Sequence, residues 1–132
     1  MSFQLDSRLE ADAVFVTDWP LCRVLLMNDA RYPWLVLVPQ RPDLVEIADL
    51  SAAERAVLME EIIRAGEILR SLPDVAKLNV GALGNVVRQL HVHVIARRPG
   101  DPAGAGPVWG HGPAVPYKPA ERDQLLGLVR AH

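Results

Sequence analysis

The chain has 132 residues, half of them hydrophobic and 23% charged, with a formal net charge of −2 and a pI of about 6.1. This size and balance fit one globular domain over residues 1–132 and exclude a disordered chain. No long basic run supports nucleic-acid binding by charge, and no apolar run reaches the ~20 residues needed to cross a bilayer. Cys22 is the only cysteine, so an internal disulfide is excluded. With no leader-like pattern in residues 1–6, a cytoplasmic location is expected.

Taken in chain order, residues 3–10 carry Leu5 and Leu9 four apart and predict one or two turns of helix. Residues 13–17 read as a short strand, broken by Asp18-Trp19-Pro20. Residues 22–27 and 34–38 are strand candidates, the second an apolar run that predicts burial on both faces. The short turn-rich link between them predicts a hairpin. Ser51-Ala52-Ala53-Glu54 is a capping box opening a helix. Leu58, Ile62, Ala65, Leu69 and Leu72 follow as one apolar stripe, with Glu60, Glu61, Arg64 and Glu67 on much of the other face, and Pro73 as the stop. Residues 75–80 predict a strand, 81–85 a turn and 86–96 a returning strand. A Gly- and Pro-rich loop covers 99–113, and residues 121–130 predict a short terminal helix. The order predicts an α+β domain, an antiparallel sheet of about five strands with helices to one side.

Side chains alternate along a strand, so Gln89, His91 and His93 face one way while Leu90, Val92 and Val94 anchor the other. Imidazole is available in its neutral form near pH 7, its unperturbed pKa being about 6.5. Such a row can attack phosphorus, donate to phosphate oxygens and move protons. Spacing alone leaves two other readings open. One is a metal-binding HxH pair, for which only His111, His132 and distant carboxylates remain as further ligands. The other is a pair of hydrogen-bonded structural histidines. Gly81-Ala82-Leu83-Gly84-Asn85 can gather backbone N–H groups around an anion or form an ordinary turn. Arg88, Arg97 and Arg98 flank the histidines, with a solvated face as their default role. Trp109 and His111 lie in the Gly- and Pro-rich loop, placed either to cover the site or to pack against a partner.

Residues 22–98 resemble the histidine triad (HIT) superfamily, whose signature is three histidines alternating with apolar residues on a strand. Gln89-Leu90-His91-Val92-His93-Val94-Ile95 aligns with that signature, with glutamine in first place. Leu26-Met27-Asn28-Asp29, followed by Trp34 to Pro39, resembles the family's nucleoside-binding hairpin, and Arg97-Arg98 with Gly100-Asp101 its post-triad stretch. The resemblance implies a HIT-like fold and an enzyme whose His91 attacks the α-phosphorus of a nucleotide conjugate. The nucleotidyl-histidine formed would pass to water, with His93 contacting the phosphate and helping the leaving group. It further implies phosphate contacts from Asn79, Gly84 and Asn85, ribose acceptance by Asn28 or Asp29, and a base walled by Leu5 and Leu26. A purine nucleotide or conjugate is the implied ligand, in a homodimer with no cofactor and no tightly held metal. A mean hydropathy of +0.12, high for a small domain, agrees with apolar surface hidden between subunits.

Two positions depart from the family pattern. Gln89 can hydrogen-bond phosphate but cannot shuttle a proton, and Trp34 stands where many members carry a further histidine. A catalytically weak nucleotide-binding or regulatory module is therefore the alternative, with a metal-binding HxH protein behind it. On this reading the Gln89 amide orients phosphate, and Gln89→His restores the full row.

Overall fold

The computed structural model describes residues 2–132. The elements run α1 (Ser7–Asp12), β1 (Ala13–Asp18), β2 (Cys22–Met27), β3 (Trp34–Pro39), α2 (Ala52–Arg70), β4 (Lys77–Gly81), β5 (Val92–Arg97) and α3 (Pro119–Arg130). The strands form one five-stranded sheet in the order β1-β2-β3-β5-β4, with every neighbouring pair antiparallel. This is the expected α+β architecture. β2 and β3 make the expected hairpin, from Cys22 opposite Pro39 to Leu26 opposite Leu35. All six residues of β3 are buried.

α2 begins where the capping box places it. The Ser51 hydroxyl accepts the Glu54 N–H at 3.1 Å, and the Glu54 carboxylate accepts the Ser51 N–H at 2.9 Å. Leu58, Ala65 and Leu69 are buried, Ile62 and Leu72 partly so, and Ile68 joins them. They pack with Val24, Leu26, Leu35, Leu37, Val92 and Val94 in one cluster that also takes Leu126 and Val129 of α3. Each fully buried aliphatic side chain here contributes about 1.5–3 kcal/mol. The helix stops at Arg70, three residues before Pro73, because Ser71 turns its hydroxyl onto the Ile68 carbonyl at 2.6 Å.

Glu61 corrects the expected polar face of α2. It is only 5% exposed, and its two oxygens accept the N–H groups of Leu21 and Cys22 at 2.9 and 2.8 Å. A carboxylate is tolerated there because it satisfies two buried backbone donors at the entry to β2. Burial and the neighbouring Glu61 push the Cys22 thiol far above its ordinary range, so it is a packing residue and not a nucleophile.

The expectation of helices to one side holds for α2 and α3 but not for α1. Leu9 of α1 lies on the opposite face, in a second cluster with Leu25, Tyr32, Trp34, Val36, Val38, Ile95, Ala103 and Val108. β3 is apolar in both phases of its alternation, so neither face of the sheet can be left in water. The second face is closed by α1, the N-terminal segment and the loop after β5.

The strand expected over 86–96 is shorter at its start. β4 ends at Gly81, opposite His93, so residues 86–91 lack a strand neighbour on that side. Leu90 donates its N–H to the Leu44 carbonyl at 3.0 Å instead. The segment peels from the sheet, and pairing begins at Val92. No helix is long and apolar enough to cross a membrane among the described residues.

Candidate active site

His91 lies just ahead of β5 and His93 within it, and their rings meet with centroids 4.9 Å apart at 72°. Both are buried, at 6% and 5% exposure. The hydrogen-bond partners assign each ring's tautomer. His91 Nδ1 lies 2.7 Å from the Gln89 carbonyl oxygen. A carbonyl only accepts, so Nδ1 carries the proton and Nε2 keeps its lone pair. His93 Nδ1 accepts from the Trp34 indole N–H at 3.0 Å, so in neutral His93 the proton is on Nε2. Burial first, and then the neighbouring His91, pull the His93 pKa down to about 4. With both rings neutral, the pair is one imidazole with a free Nε2 lone pair beside one that donates from Nε2. Trp34, noted above as a departure from the family pattern, fixes the second ring and also packs on it at 5.6 Å between centroids.

His91 lines a cavity of about 330 Å³ together with Val45 to Ala48, Ala82 to Gly84 and Arg88 to Leu90. Gly84 has a φ of +77°, a conformation that glycine adopts without strain and that turns this loop toward the cavity. Arg88 is exposed and supplies the cavity's one cationic side chain among its lining residues, with Glu46 as the acidic one. Asn85 is exposed and does not line it. Gln89 does, but its amide is engaged with the N-terminal segment: Oε1 accepts the Asp6 N–H at 2.8 Å and Nε2 donates to the Gln4 carbonyl at 2.7 Å.

A second cavity of about 430 Å³ is lined by Ala11, Asp12, Met27, Asn28, Asp29, Arg31, Trp34, Trp109 and their neighbours. It brings the two hairpin-end residues to the sheet face that carries the histidines. Their acceptors are already bonded, however. Asn28 Oδ1 accepts the Tyr117 N–H at 3.0 Å, and Asp29 accepts the Val115 N–H at 3.3 Å and pairs with Arg31 at 2.8 Å. Burial raises the Asp29 pKa, but the bonds from Arg31 and Val115 outweigh it and leave the carboxyl below its ordinary value. Of the two leucines expected to wall a base, Leu5 packs on this face. Leu26 points to the opposite one, buried against α2, because it follows Leu25 by one residue in the strand.

Asn79 lines a third space with Lys77, Arg97, Gly106 and Trp109, and its side-chain oxygen accepts from Arg97 at 3.0 Å. Arg97 departs from the solvated default. It is 9% exposed and grips Asp101 through Nε and Nη2, both at 2.8 Å, while reaching the carbonyls of Gly104 and Gly106. That contact holds the Asp101 pKa down at about 2 and folds the Gly-rich loop back over the sheet. Trp109 on this loop reaches His93, ring centroid to ring centroid at 5.4 Å. A Cβ on Gly81 would stand 3.1 Å from its indole. His111 stays exposed, its carbonyl accepting from Arg31. The Arg97–Asp101 spacing of four was the sequence signal for the loop clamp. Among the described residues, no group of three or more His, Cys, Asp or Glu side chains is placed to hold a metal ion.

Known proteins place this arrangement. Residues 8–100 match the HIT domain model. The fold superimposes on a histidine triad protein from Bradyrhizobium japonicum with a TM-score of 0.97 and 46% identity, covering 99% of this chain and 98% of that one. A histidine triad protein from Sinorhizobium meliloti gives 0.94 and 46% identity, with 98% and 96% covered. A histidine triad nucleotide-binding protein from Sulfolobus tokodaii shares the fold at 0.67 and 16% identity, with 94% and 85% covered. No curated protein matches the sequence. With most of its length matched by the domain model and nearly all of it by two structures at 46% identity, the chain belongs to the histidine triad (HIT) family.

Proposed function

We propose that the protein is a nucleotidyl hydrolase or transferase that acts on the α-phosphate of a nucleotide conjugate through His91. The observation that carries this reading is the complementary pair of tautomers 4.9 Å apart, a lone pair on His91 Nε2 and an N–H on His93 Nε2. The lone pair attacks phosphorus, and the bond to the leaving group breaks with its electrons on the leaving atom. The nucleotidylated ring is cationic and keeps its Nδ1–H on the Gln89 carbonyl, which offsets the new charge. Water then attacks phosphorus and gives up a proton to solvent, and the P–N bond breaks with its electrons on Nε2 to regenerate neutral His91. His93, neutral well below pH 7, donates a hydrogen bond to the phosphate but is a poor proton source, so the leaving group takes its proton from solvent.

The nucleoside belongs in the cavity beside Trp34, Asn28 and Asp29, and the phosphate at the His91 cavity near Gly84 and Arg88. Asn79 acts through Arg97 and the loop, and Asn85 lies at the rim of the turn. The family pattern, together with the nucleotide binding ascribed to the Sulfolobus tokodaii protein of the same fold, supports a nucleotide or nucleotide conjugate as ligand, with a purine as the proposed base. Exposed Val57, Ile63, Val80 and Leu83, on α2 and at the β4 edge, support a homodimer, which light scattering at micromolar concentration checks.

Turnover of adenylyl phosphoramidates and dinucleoside polyphosphates, with and without chelator, tests the reading. Release of nucleoside monophosphate, unchanged by chelation, is the expected result. Binding without turnover would favour the regulatory module, and loss of activity on chelation the metal-binding reading.

A further inference from the structure

Gln89 makes three contacts, and the proposed reaction uses only the one at its backbone carbonyl. Its side-chain Nε2–H and Oε1 bridge the Gln4 carbonyl and the Asp6 N–H, at 2.7 and 2.8 Å. Its own carbonyl accepts from His91 Nδ1 at 2.7 Å. In an extended segment, the C=O of one residue and the N–H two residues on point the same way. A strand neighbour meets such a pair with one donor and one acceptor, and a primary amide carries both on a single carbon. The two nitrogens of an imidazole point in divergent directions, so a histidine at this position meets only one of those groups.

The segment so bridged leads into the site. Phe3 and Leu5 pack against the cluster that contains Leu25, Val36 and Val38, and Arg8 donates to the Val86 carbonyl at 3.3 Å. Residues 7–12 then form α1, whose Ala11 and Asp12 line the cavity beside Asn28 and Trp34. We propose that Gln89 is a positioning residue whose amide splices the N-terminal strap to the segment before β5. The splice holds α1 in place as a wall of the nucleoside cavity. Glutamine in the first triad place thus serves as a latch for the strap, in place of the phosphate contact expected there. The kinetic part of this inference rests on the proposed nucleotide chemistry; the latch itself does not.

A substitution cycle in the full-length chain tests it. Gln89→Asn is one methylene too short to reach the strap. It should raise KM for an adenylyl phosphoramidate about tenfold, the size of its two lost hydrogen bonds at the weak end of their range, with kcat little changed. Amide exchange across residues 3–8 should quicken by about the same factor. Asp6→Pro removes the strap's donor at a φ of −56°, which proline accepts. In that background Gln89→Asn loses only the contact to the Gln4 carbonyl and should add about threefold in place of tenfold. Asp6→Ala loses the α1 cap but keeps the N–H, and there Gln89→Asn should keep its full effect. Gln89→His should behave as Gln89→Asn and not as a gain. Equal cost of Gln89→Asn in the wild-type and Asp6→Pro backgrounds, or a fall in kcat alone, would show a direct phosphate contact and overturn the proposal. If the wild type shows no turnover, the proposed function fails. The exchange data and the affinity for adenosine monophosphate, taken over the same variants, still decide the latch: unchanged exchange in Gln89→Asn refutes it.

Discussion

The two faces of the sheet bury similar strands in different ways. On one, Val24, Leu26, Leu35, Leu37, Val92 and Val94 meet the stripe of α2, and a buried carboxylate, Glu61, is bonded to two backbone donors. On the other, the same strands present Trp34, Val36, His93 and Ile95 to a cover built from α1, the N-terminal strap and the loop after β5. Polar latches fix that cover: Gln89 to Gln4 and Asp6, Arg97 to Asp101, and Asp29 to Val115. A helix face of aliphatic contacts supplies stability without needing exact partners. On this face the paired donors and acceptors, Trp34 with His93 and His91 with Gln89, fix ring orientation and tautomer. The proposed chemistry lies on the second face, so substitutions on the two faces should separate stability from turnover.

The largest effect should come from His91→Ala. Removing the nucleophile should cut turnover by about a thousandfold or more, roughly 4 kcal/mol of transition-state stabilisation. Nucleoside monophosphate binding should persist, since those contacts lie in the neighbouring cavity. Wild-type turnover in this variant would reduce the histidine face to a binding surface.

Glu61→Ala should leave two buried N–H groups unpaired and cost about 3 kcal/mol of stability by urea unfolding. Its kcat, measured on folded protein, should stay at the wild-type value. A parallel loss of kcat would show that the two faces are not separable.

Acid should act on the second face. The folded His93 pKa of about 4 lies below its unfolded value, so the unfolded chain binds the extra proton first as pH falls. The stabilisation is fully present above about pH 6.5 and is lost between there and pH 4, at most about 3 kcal/mol. A nuclear magnetic resonance titration should find the His93 ring neutral at pH 5, and His93→Gln should lack this part of the acid loss. Trp34→Phe is the smallest of the four. It strips His93 Nδ1 of its donor, which should cost about 1–2 kcal/mol and release the ring to a mixture of tautomers visible in its nitrogen shifts.

What was legible in the sequence follows the same division. The hairpin of 22–38 and the helix after Ser51 rest on local periodicity and caps, and both formed as expected. The shared face of His91 and His93 also follows from local alternation. Apart from Leu26, set by local alternation, and the Arg97–Asp101 clamp, the departures depend on contacts far away in sequence. Residues 86–91 leave the sheet because β4 ends at Gly81 and Leu90 finds Leu44. Glu61 is buried because the backbone at 21 and 22 needs acceptors. Asn28 and Asp29 are engaged by residues 117 and 115, and Gln89 by residues 4 and 6. A strand pattern shows which side a residue faces but not which distant polar group meets it there.

The central claim is that His91 Nε2 is the nucleophile, and rapid-quench trapping followed by mass spectrometry tests it most directly. With an adenylyl phosphoramidate, an adenylyl group should appear on the peptide carrying His91 within one turnover, held on nitrogen and lost in acid. Turnover with no adduct, or an adduct on another residue, would contradict the account.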